Sequence, residues 1–176
     1  ARHHECTLFA RTALALWRGA PLADVADELE VAGELARLDE LRLDVIEDRF
    51  EAELALGHHA EMVVELEGVC AAHPLRERLR AQLMLALHRS GRQGDALRSY
   101  RRHRGTLAEE TGLTPSRELV DLERRVALDD PSLAFVAAGR VARGYVLADE
   151  IGAGSFGTVY RAVQPSVGRE VAVKVV

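Results

Sequence analysis

The chain has 176 residues, of which 48% are hydrophobic and 29% are charged, and its formal net charge is −5. This balance is typical of a folded globular chain, and the negative charge argues against binding of nucleic acid through the overall electrostatic field. Cys6 and Cys70 have no metal-ligand spacing, and no apolar run approaches the ~20 residues of a membrane span. The sequence therefore predicts a reduced, cytoplasmic setting without a membrane.

The first two helices are predicted from apolar residues at helical spacing. A helix over 5–18 should bury one face, formed by Phe9, Ala13, Leu16 and Trp17. The turn Gly19-Ala20-Pro21 should end it, because proline cannot continue a helix, and we expect Trp17 to be a core residue beneath this turn. A long amphipathic helix should follow over 33–56 and end at Gly57.

The segments 54–63 and 88–97 repeat each other with an offset of 34 residues. Gly57 aligns with Gly91, Glu61 aligns with Asp95, and an apolar pair follows each acid. A period of about 34 residues, with one helix–turn–helix per period, is typical of tetratricopeptide-like arrays. Each such unit buries its apolar face only against a neighbour, so stacked units share a core and form a groove. The sequence therefore predicts a helical repeat module.

The remaining helices are delimited by turn residues. His73-Pro74 should break the chain, with Pro74 as a first helical residue, and Thr114 should cap the last helix. On that helix Asp121 and Arg125 form a favourable i, i+4 pair. Residues 35–128 should together hold at least five antiparallel α-helices that bury Leu38, Leu66, Leu79, Leu83, Leu97 and Leu122.

The pattern changes from residue 131 onward. Residues 131–144 have no firm period and are expected to form a linker. From Tyr145 the residues alternate with period two, which predicts strands at about 145–151, 157–164 and 170–176. The expected fold is an all-α tetratricopeptide-like helical repeat module over 1–130, the linker, and a short antiparallel three-stranded β segment over 145–176.

Four motifs occur in a defined order along residues 5–128. They are ALWRGAPLAD from Ala15, HPLRER from His73, ALRSY from Ala96 and EETGLTPS from Glu109. In this order they resemble the bacterial transcriptional activator domain of SARP-type transcriptional regulators. The resemblance implies a tetratricopeptide-like module that follows a winged-helix DNA-binding domain. No winged-helix sequence precedes it here, so we expect the DNA contacts to lie outside this chain.

The segment 145–176 combines a Gly-rich loop, GAGSFGTV from Gly152, with the motif VAVK, which ends at the only lysine, Lys174. A dinucleotide-binding turn of the Rossmann type would need a helix after its last glycine, whereas the alternating residues over 158–163 predict a strand. The segment instead resembles the start of a Ser/Thr protein kinase small lobe. The resemblance implies that a complete parent domain binds ATP with Mg²⁺ through Gly152, Gly154, Ser155, Phe156, Gly157, Val159, Ala172 and Lys174.

The same resemblance implies a role for each part of this segment. The glycine amides would approach the phosphates, Lys174 would meet the α- and β-phosphates, and Val159 and Ala172 would pack on the adenine. The sequence contains no glutamate-bearing helix to pair with Lys174, no catalytic-loop aspartate and no D-F-G motif. We therefore assign no catalytic residue and no metal ligand, and expect neither kinase activity nor tight ATP binding from these 176 residues alone.

Two functions follow from these patterns. The first is regulation of DNA-templated transcription, in which the helical module binds a protein: its own DNA-binding domain, a second copy or a transcription partner. The alternative is a Ser/Thr protein kinase whose N-terminal helices form a docking or sensing domain. A solvated helix face explains the arginines Arg98, Arg101, Arg102 and Arg104 better than a nucleic-acid patch does. The adjacent histidine pairs at 3–4 and 58–59 point in different directions on a helix, which argues against metal binding.

Overall fold

A computed structural model of the chain describes residues 2–17, 19, 29–135, 141–142, 145–154, 157–164 and 168–175. In these residues the chain forms six α-helices followed by a short 3-10 helix and an antiparallel sheet. The helices are α1 Arg2–Leu14, α2 Leu29–Leu56, α3 His59–Ala72, α4 Glu77–Arg89, α5 Gln93–Thr111 and α6 Arg117–Ala127. The 3-10 helix spans Pro131–Leu133, and the strands are β1 Val141–Ala142, β2 Tyr145–Gly154, β3 Gly157–Gln164 and β4 Arg169–Val175.

The helices pack mainly on their neighbours in sequence. Helix α1 packs on α2, α3 on α4, α4 on α5, and α5 on α6, while α4 also contacts α2 and α6. Helix α4 therefore lies at the centre of the module. Its apolar side chains join one continuous core with Phe50 of α2, Leu66 of α3, Tyr100 of α5 and Val126 of α6. The prediction of at least five helices within 35–128 is confirmed.

The 34-residue repeat corresponds to two equivalent helix junctions. Gly57 follows α2 with φ +94°, and Gly91 follows α4 with φ +73°. Both values lie in the left-handed region, which glycine adopts without a steric penalty. The helices after them, α3 and α5, begin at His59 and Gln93, again 34 residues apart. The long helix ends at Gly57 as predicted.

The six leucines predicted to be buried divide into two groups. Leu66, Leu79 and Leu83 are fully buried, whereas Leu38, Leu97 and Leu122 are partly buried. In α5 the fully buried positions are taken by Ala96 and Tyr100, so Leu97 lies at the edge of the packed face. Leu38 lies in α2 before Leu43, the first residue of that helix to join the core. Periodicity identified the faces, but the neighbouring helices decide how deep each side chain lies.

The predicted buried face of α1 is wrong. Phe9 is 70% exposed and Leu16 is 73% exposed, whereas Ala10 is only 6% exposed. Helix α1 packs on α2, and the small Ala10 side chain allows the close contact. The helix ends at Leu14 and Trp17 is half-buried. The predicted turn over Trp17 lies outside the described residues at Pro21.

Two predicted helix starts are also corrected. Helix α4 begins at Glu77, and Pro74 instead lies in the turn before it. Helix α6 begins at Arg117, and its N-cap is Ser116 rather than Thr114. The Ser116 hydroxyl accepts a hydrogen bond from the Leu119 amide at 3.3 Å, which satisfies one free donor of the first turn. At α4 the N-cap position is Arg76, whose side chain makes no capping hydrogen bond.

Residues 131–135, in the predicted linker, pack on the helical module. Leu133 is 4% exposed and belongs to the core, and its carbonyl accepts a hydrogen bond of 2.8 Å from Arg89 Nε. The Phe135 ring contacts the edge of His59, with ring centroids 4.6 Å apart. A Cβ atom on Gly57 would lie only 2.7 Å from Phe135 Cε1, so this approach requires glycine. The ordered helical part thus extends beyond α6.

The sheet has the strand order β1-β2-β3-β4, with every neighbouring pair antiparallel. The two-residue strand β1 lies in the predicted linker and pairs with the start of β2, so the sheet has one strand more than expected. Gly154 pairs with Gly157 at the end of the β2–β3 ladder. Two register shifts between β2 and β3 fall between Leu147 and Gly152, and local irregularities of this kind bend a strand.

Candidate functional site

The segment His73–Arg78 joins four helices of the module. On one side, the Nδ1–H group of the buried His103 in α5 donates to the Pro74 carbonyl at 3.0 Å. The Glu77 carboxylate accepts the Ser116 amide at 2.9 Å and thereby holds the start of α6. Burial acts to raise the pKa of Glu77, but the hydrogen bonds from Ser116 and the nearby His103 imidazole, whose Nε2 lies 3.6 Å from the carboxylate, outweigh it and hold the pKa below its usual value. These bonds fix the turn against α5 and α6.

Arginines of the same segment hold α2. Arg76 pairs with Glu40 at 2.5 Å, and Arg78 pairs with Asp48 at 2.7 Å and Glu51 at 2.6 Å. Exposed ion pairs contribute little singly, but with Asp44 and Glu47 five carboxylates of α2 face these two arginines. The motif HPLRER thus serves as a structural junction, a role that no local pattern indicated.

A second polar junction connects α1 with the α2–α3 turn. The buried Glu53 carboxylate accepts Arg11 Nη2 at 2.8 Å and is 2.5 Å from His58 Nδ1. Burial acts to raise the pKa of Glu53, but the hydrogen bonds from His58 and Arg11 dominate, so the pKa is lowered. The Arg11–Glu53 ion pair thus connects α1 directly with α2.

An open groove lies between α3, α4 and α5 and has a volume of about 540 Å³. We call it the arginine groove. Its apolar floor includes Leu83 and Leu87 of α4 and Pro74. Its polar lining is formed by Glu67, Arg80, Arg92, Asp95, Arg98, Ser99, Arg102 and Thr106. It is the kind of concave surface that stacked helical repeats form.

The arginines of this groove differ in their partners. On the rim, Asp95 pairs with Arg92 at 2.7 Å and also with Arg98. Deeper in the groove, Arg80 is 7% exposed and donates to Ser99 Oγ at 2.9 Å. No carboxylate pairs with Arg80 or Arg102 in the part of the chain that the structure describes. Burial lowers the pKa of the Arg80 guanidinium, and the nearby charge of Arg102 lowers it further.

The predicted solvated arginine face of α5 is exposed at all four positions, Arg98, Arg101, Arg102 and Arg104. Only Arg98 and Arg102 line the groove. Arg80 was missed from the sequence because it lies among the leucines of α4, between Leu79 and Leu83, where a charged residue is easily assigned to solvent. The only feature of the sequence that indicated burial of Arg80 was its position one residue after Leu79.

The candidate nucleotide segment lies on the sheet. Gly152 of β2 is opposite Val159 of β3, and Val159 is opposite Lys174 of β4. Residues opposite each other or two apart on one strand share a face, so Val159, Ala172 and Lys174 lie on the same face. An added Cβ on Gly152 would meet nothing within 4 Å. Gly154 and Gly157 pair at the end of the β2–β3 ladder, and Ser155 and Phe156 lie outside the described residues.

Among the described residues, no group of three or more His, Cys, Asp or Glu side chains has the arrangement needed to hold a metal ion. No described helix is both long and apolar enough to cross a membrane.

Stacked helices with equivalent junctions 34 residues apart, and a groove between them, define a helical repeat module. The model of the family described as "Bacterial transcriptional activator domain" matches residues 1–127. The chain therefore belongs to the bacterial transcriptional activator domain family.

Relatives of the chain are transcriptional regulators. It is 46% identical over 123 residues to the regulatory protein DnrI of Streptomyces peucetius, a match that covers 70% of this chain and 45% of DnrI. It is 48% identical over 128 residues to the regulatory protein AfsR of Streptomyces coelicolor, which covers 73% of this chain and 13% of AfsR. The chain thus spans less than half the length of either relative.

A solved structure is similar over nearly the whole chain. This is Mycobacterium tuberculosis EmbR in complex with a low-affinity phosphopeptide, with a TM-score of 0.72 and 28% sequence identity. The match covers 98% of this chain and 46% of the EmbR chain.

Proposed function

We propose that this chain serves the regulation of DNA-templated transcription as the helical protein-interaction module of a SARP-type regulator. The match of residues 1–127 to the family model carries this proposal, and the regulators DnrI and AfsR support it. In this proposal the module is tetratricopeptide-like and binds a protein partner or a second copy. The contacts to DNA belong to a domain outside this chain.

The charge of the module supports a role in binding protein rather than DNA. Residues 1–138 carry 25 acidic residues against 18 arginines. Such a surface repels a phosphate backbone, whereas duplex binding depends on neutralising phosphates with basic side chains. The arginine groove offers an apolar floor and a polar rim instead, which is the composition of a non-obligate protein interface. The EmbR structure holds a phosphopeptide, which supports peptide recognition as a mode of partner binding.

A reporter assay tests the proposal. This sequence would be joined to the DNA-binding domain of its parent regulator, and transcription from the cognate promoter would be measured beside promoter binding in vitro. Arg102→Glu should lower transcription several-fold without changing promoter affinity, because it reverses a charge in the groove and not at the DNA. Arg101→Glu is the matched control on the same helix, outside the groove lining. Equal transcription from both variants and the parent would contradict the proposal.

We propose a second function for residues 145–176, namely that they hold ATP with Mg²⁺ when the rest of a kinase-like domain is present. The common face of Val159, Ala172 and Lys174 and the open backbone at Gly152 support it. Val159 and Ala172 would pack on the adenine, Lys174 would meet the α- and β-phosphates, and the amides of the Gly-rich loop would approach the phosphates. Bound ATP would supply the phosphoryl group for transfer. This second function is compatible with the alternative that the parent protein is a Ser/Thr kinase whose helices form a docking domain.

Calorimetric titration of ATP with Mg²⁺ tests the second function. Lys174→Ala should weaken ATP binding in a chain that carries the complete kinase-like domain. In the 176-residue chain we expect at best millimolar affinity, on the order of −4 kcal/mol, because three strands close the nucleotide from one side only. Micromolar binding by this chain that is lost in Lys174→Ala would show that the strands form a complete site by themselves.

A further inference from the structure

Arg80 is a buried cation without a matching acid. Its side chain lies in α4 at 7% exposure and lines the arginine groove. One guanidinium nitrogen donates to Ser99 Oγ, while Nε has no hydrogen-bond partner among the described residues. Burying a charged group without a counter-charge costs free energy, and buried arginines are usually paired. A hydroxyl cannot replace a carboxylate here, so the charge of Arg80 stays uncompensated.

The surroundings of Arg80 add positive charge. Arg102 lies one helical turn after Ser99 on α5, lines the same groove and has no ion pair within the described ranges. On the rim, Arg92 and Arg98 both pair with Asp95, and Arg92 also lies 3.9 Å from the Glu67 carboxylate. The lining therefore contains four arginines and two acids, although the module as a whole is acidic. This local reversal of charge favours an anionic occupant.

The rest of the lining narrows the class of occupant. Leu83, Leu87 and Pro74 provide an apolar floor, which suits a peptide better than a free inorganic anion. None of the residues that line this groove is aromatic, so no base-stacking platform exists within it, as single-stranded nucleic acid would require. Planar guanidinium groups bind carboxylates with two parallel hydrogen bonds.

We propose that the arginine groove binds an acidic, apolar peptide segment of a partner protein, with Arg80 and Arg102 receiving one of its carboxylates. Ser99 positions the Arg80 guanidinium, and the apolar floor accepts a side chain next to the acid. The inference rests on the proposed function, because it names the partner chemistry of the same interaction module.

Fluorescence anisotropy with the 176-residue chain tests the proposal. The probes are a labelled peptide of alternating glutamate and leucine and the same peptide with glutamine in place of glutamate. The acidic peptide should bind at least about tenfold more tightly. Arg102→Ala should weaken its binding about tenfold, whereas the control Arg101→Ala on the same helix should change it by less than about twofold.

Arg80→Met separates a binding role from a structural one. Methionine fills much of the same space without a charge, so the variant should lose peptide binding while its melting temperature stays equal or rises. A lower melting temperature with unchanged peptide binding would overturn the proposal, since Arg80 would then be structural. Equal binding of the glutamine peptide, or competition by inorganic phosphate as effective as that of the acidic peptide, would overturn it too.

The peptide assay and the reporter assay test the two proposals independently. Peptide binding that depends on Arg102, combined with normal transcription in Arg102→Glu, would contradict the proposed function but support the groove. In the reverse case, Arg102→Glu would lower transcription but the chain would not bind acidic peptides. This result would support the proposed function and overturn the proposal that the partner is acidic.

Discussion

Gly57 and Gly91 occupy equivalent junctions, so replacing each with alanine separates backbone strain from a steric clash. At Gly91 the φ is +73° and an added Cβ meets nothing within 4 Å. Gly91→Ala should therefore cost only the left-handed strain of an L-residue, about 1 kcal/mol. At Gly57 the φ is +94° and the Cβ would lie 2.7 Å from Cε1 and 2.8 Å from Cζ of Phe135.

The clash at Gly57 must displace Phe135 from its contact with His59. Overpacking of this kind costs a further ~1–3 kcal/mol, so we expect Gly57→Ala to lower the free energy of unfolding by about 2–4 kcal/mol. Urea unfolding followed by far-UV circular dichroism would measure both variants, Phe135→Ala and the double variant with Gly57→Ala. In the Phe135→Ala background, Gly57→Ala should cost about as much as Gly91→Ala.

Equal destabilisation of the intact chain by Gly57→Ala and Gly91→Ala would contradict a steric clash with Phe135. That result would mean that residues 131–135 do not pack on the α2–α3 junction. An undiminished cost of Gly57→Ala in the Phe135→Ala background would assign the difference to backbone strain at the larger φ.

Three further predictions concern the core, pH and DNA. Leu83 is 2% exposed, so Leu83→Ala should destabilise the chain by ~2–5 kcal/mol, and a change below about 0.5 kcal/mol in urea unfolding would contradict its burial. Burial lowers the pKa of His59 from 6.5 to about 4, so only the unfolded chain binds this proton between those values. Stability should therefore fall as the pH drops through this window, by at most about 3 kcal/mol, and His59→Leu should remove that part of the pH dependence. The isolated chain should bind duplex DNA weakly and without sequence preference; specific retention in a gel-shift assay at physiological salt would refute this.

Local sequence features determined where the helices of the module end. Glycine adopts the left-handed conformation that ends a helix without help from distant residues. Gly57 and Gly91 could therefore be identified as helix junctions from the sequence. The i, i+4 spacing of Leu79 and Leu83 likewise predicted their burial, because both positions lie on the same face of α4. Alternation with period two predicted the strands of the sheet for the same local reason.

Only the tertiary structure decided which apolar face has a partner and which charge lacks one. Phe9 and Leu16 show helical spacing, yet both are exposed, because α1 packs the small Ala10 on α2 and ends at Leu14, before Leu16. Arginine is usually found at the surface, but Arg80 is buried, and its partner on α5 is the Ser99 hydroxyl rather than a carboxylate. Burial and pairing depend on contacts between residues distant in sequence, as between Gly57 and Phe135, and such contacts leave no periodic signal in the chain.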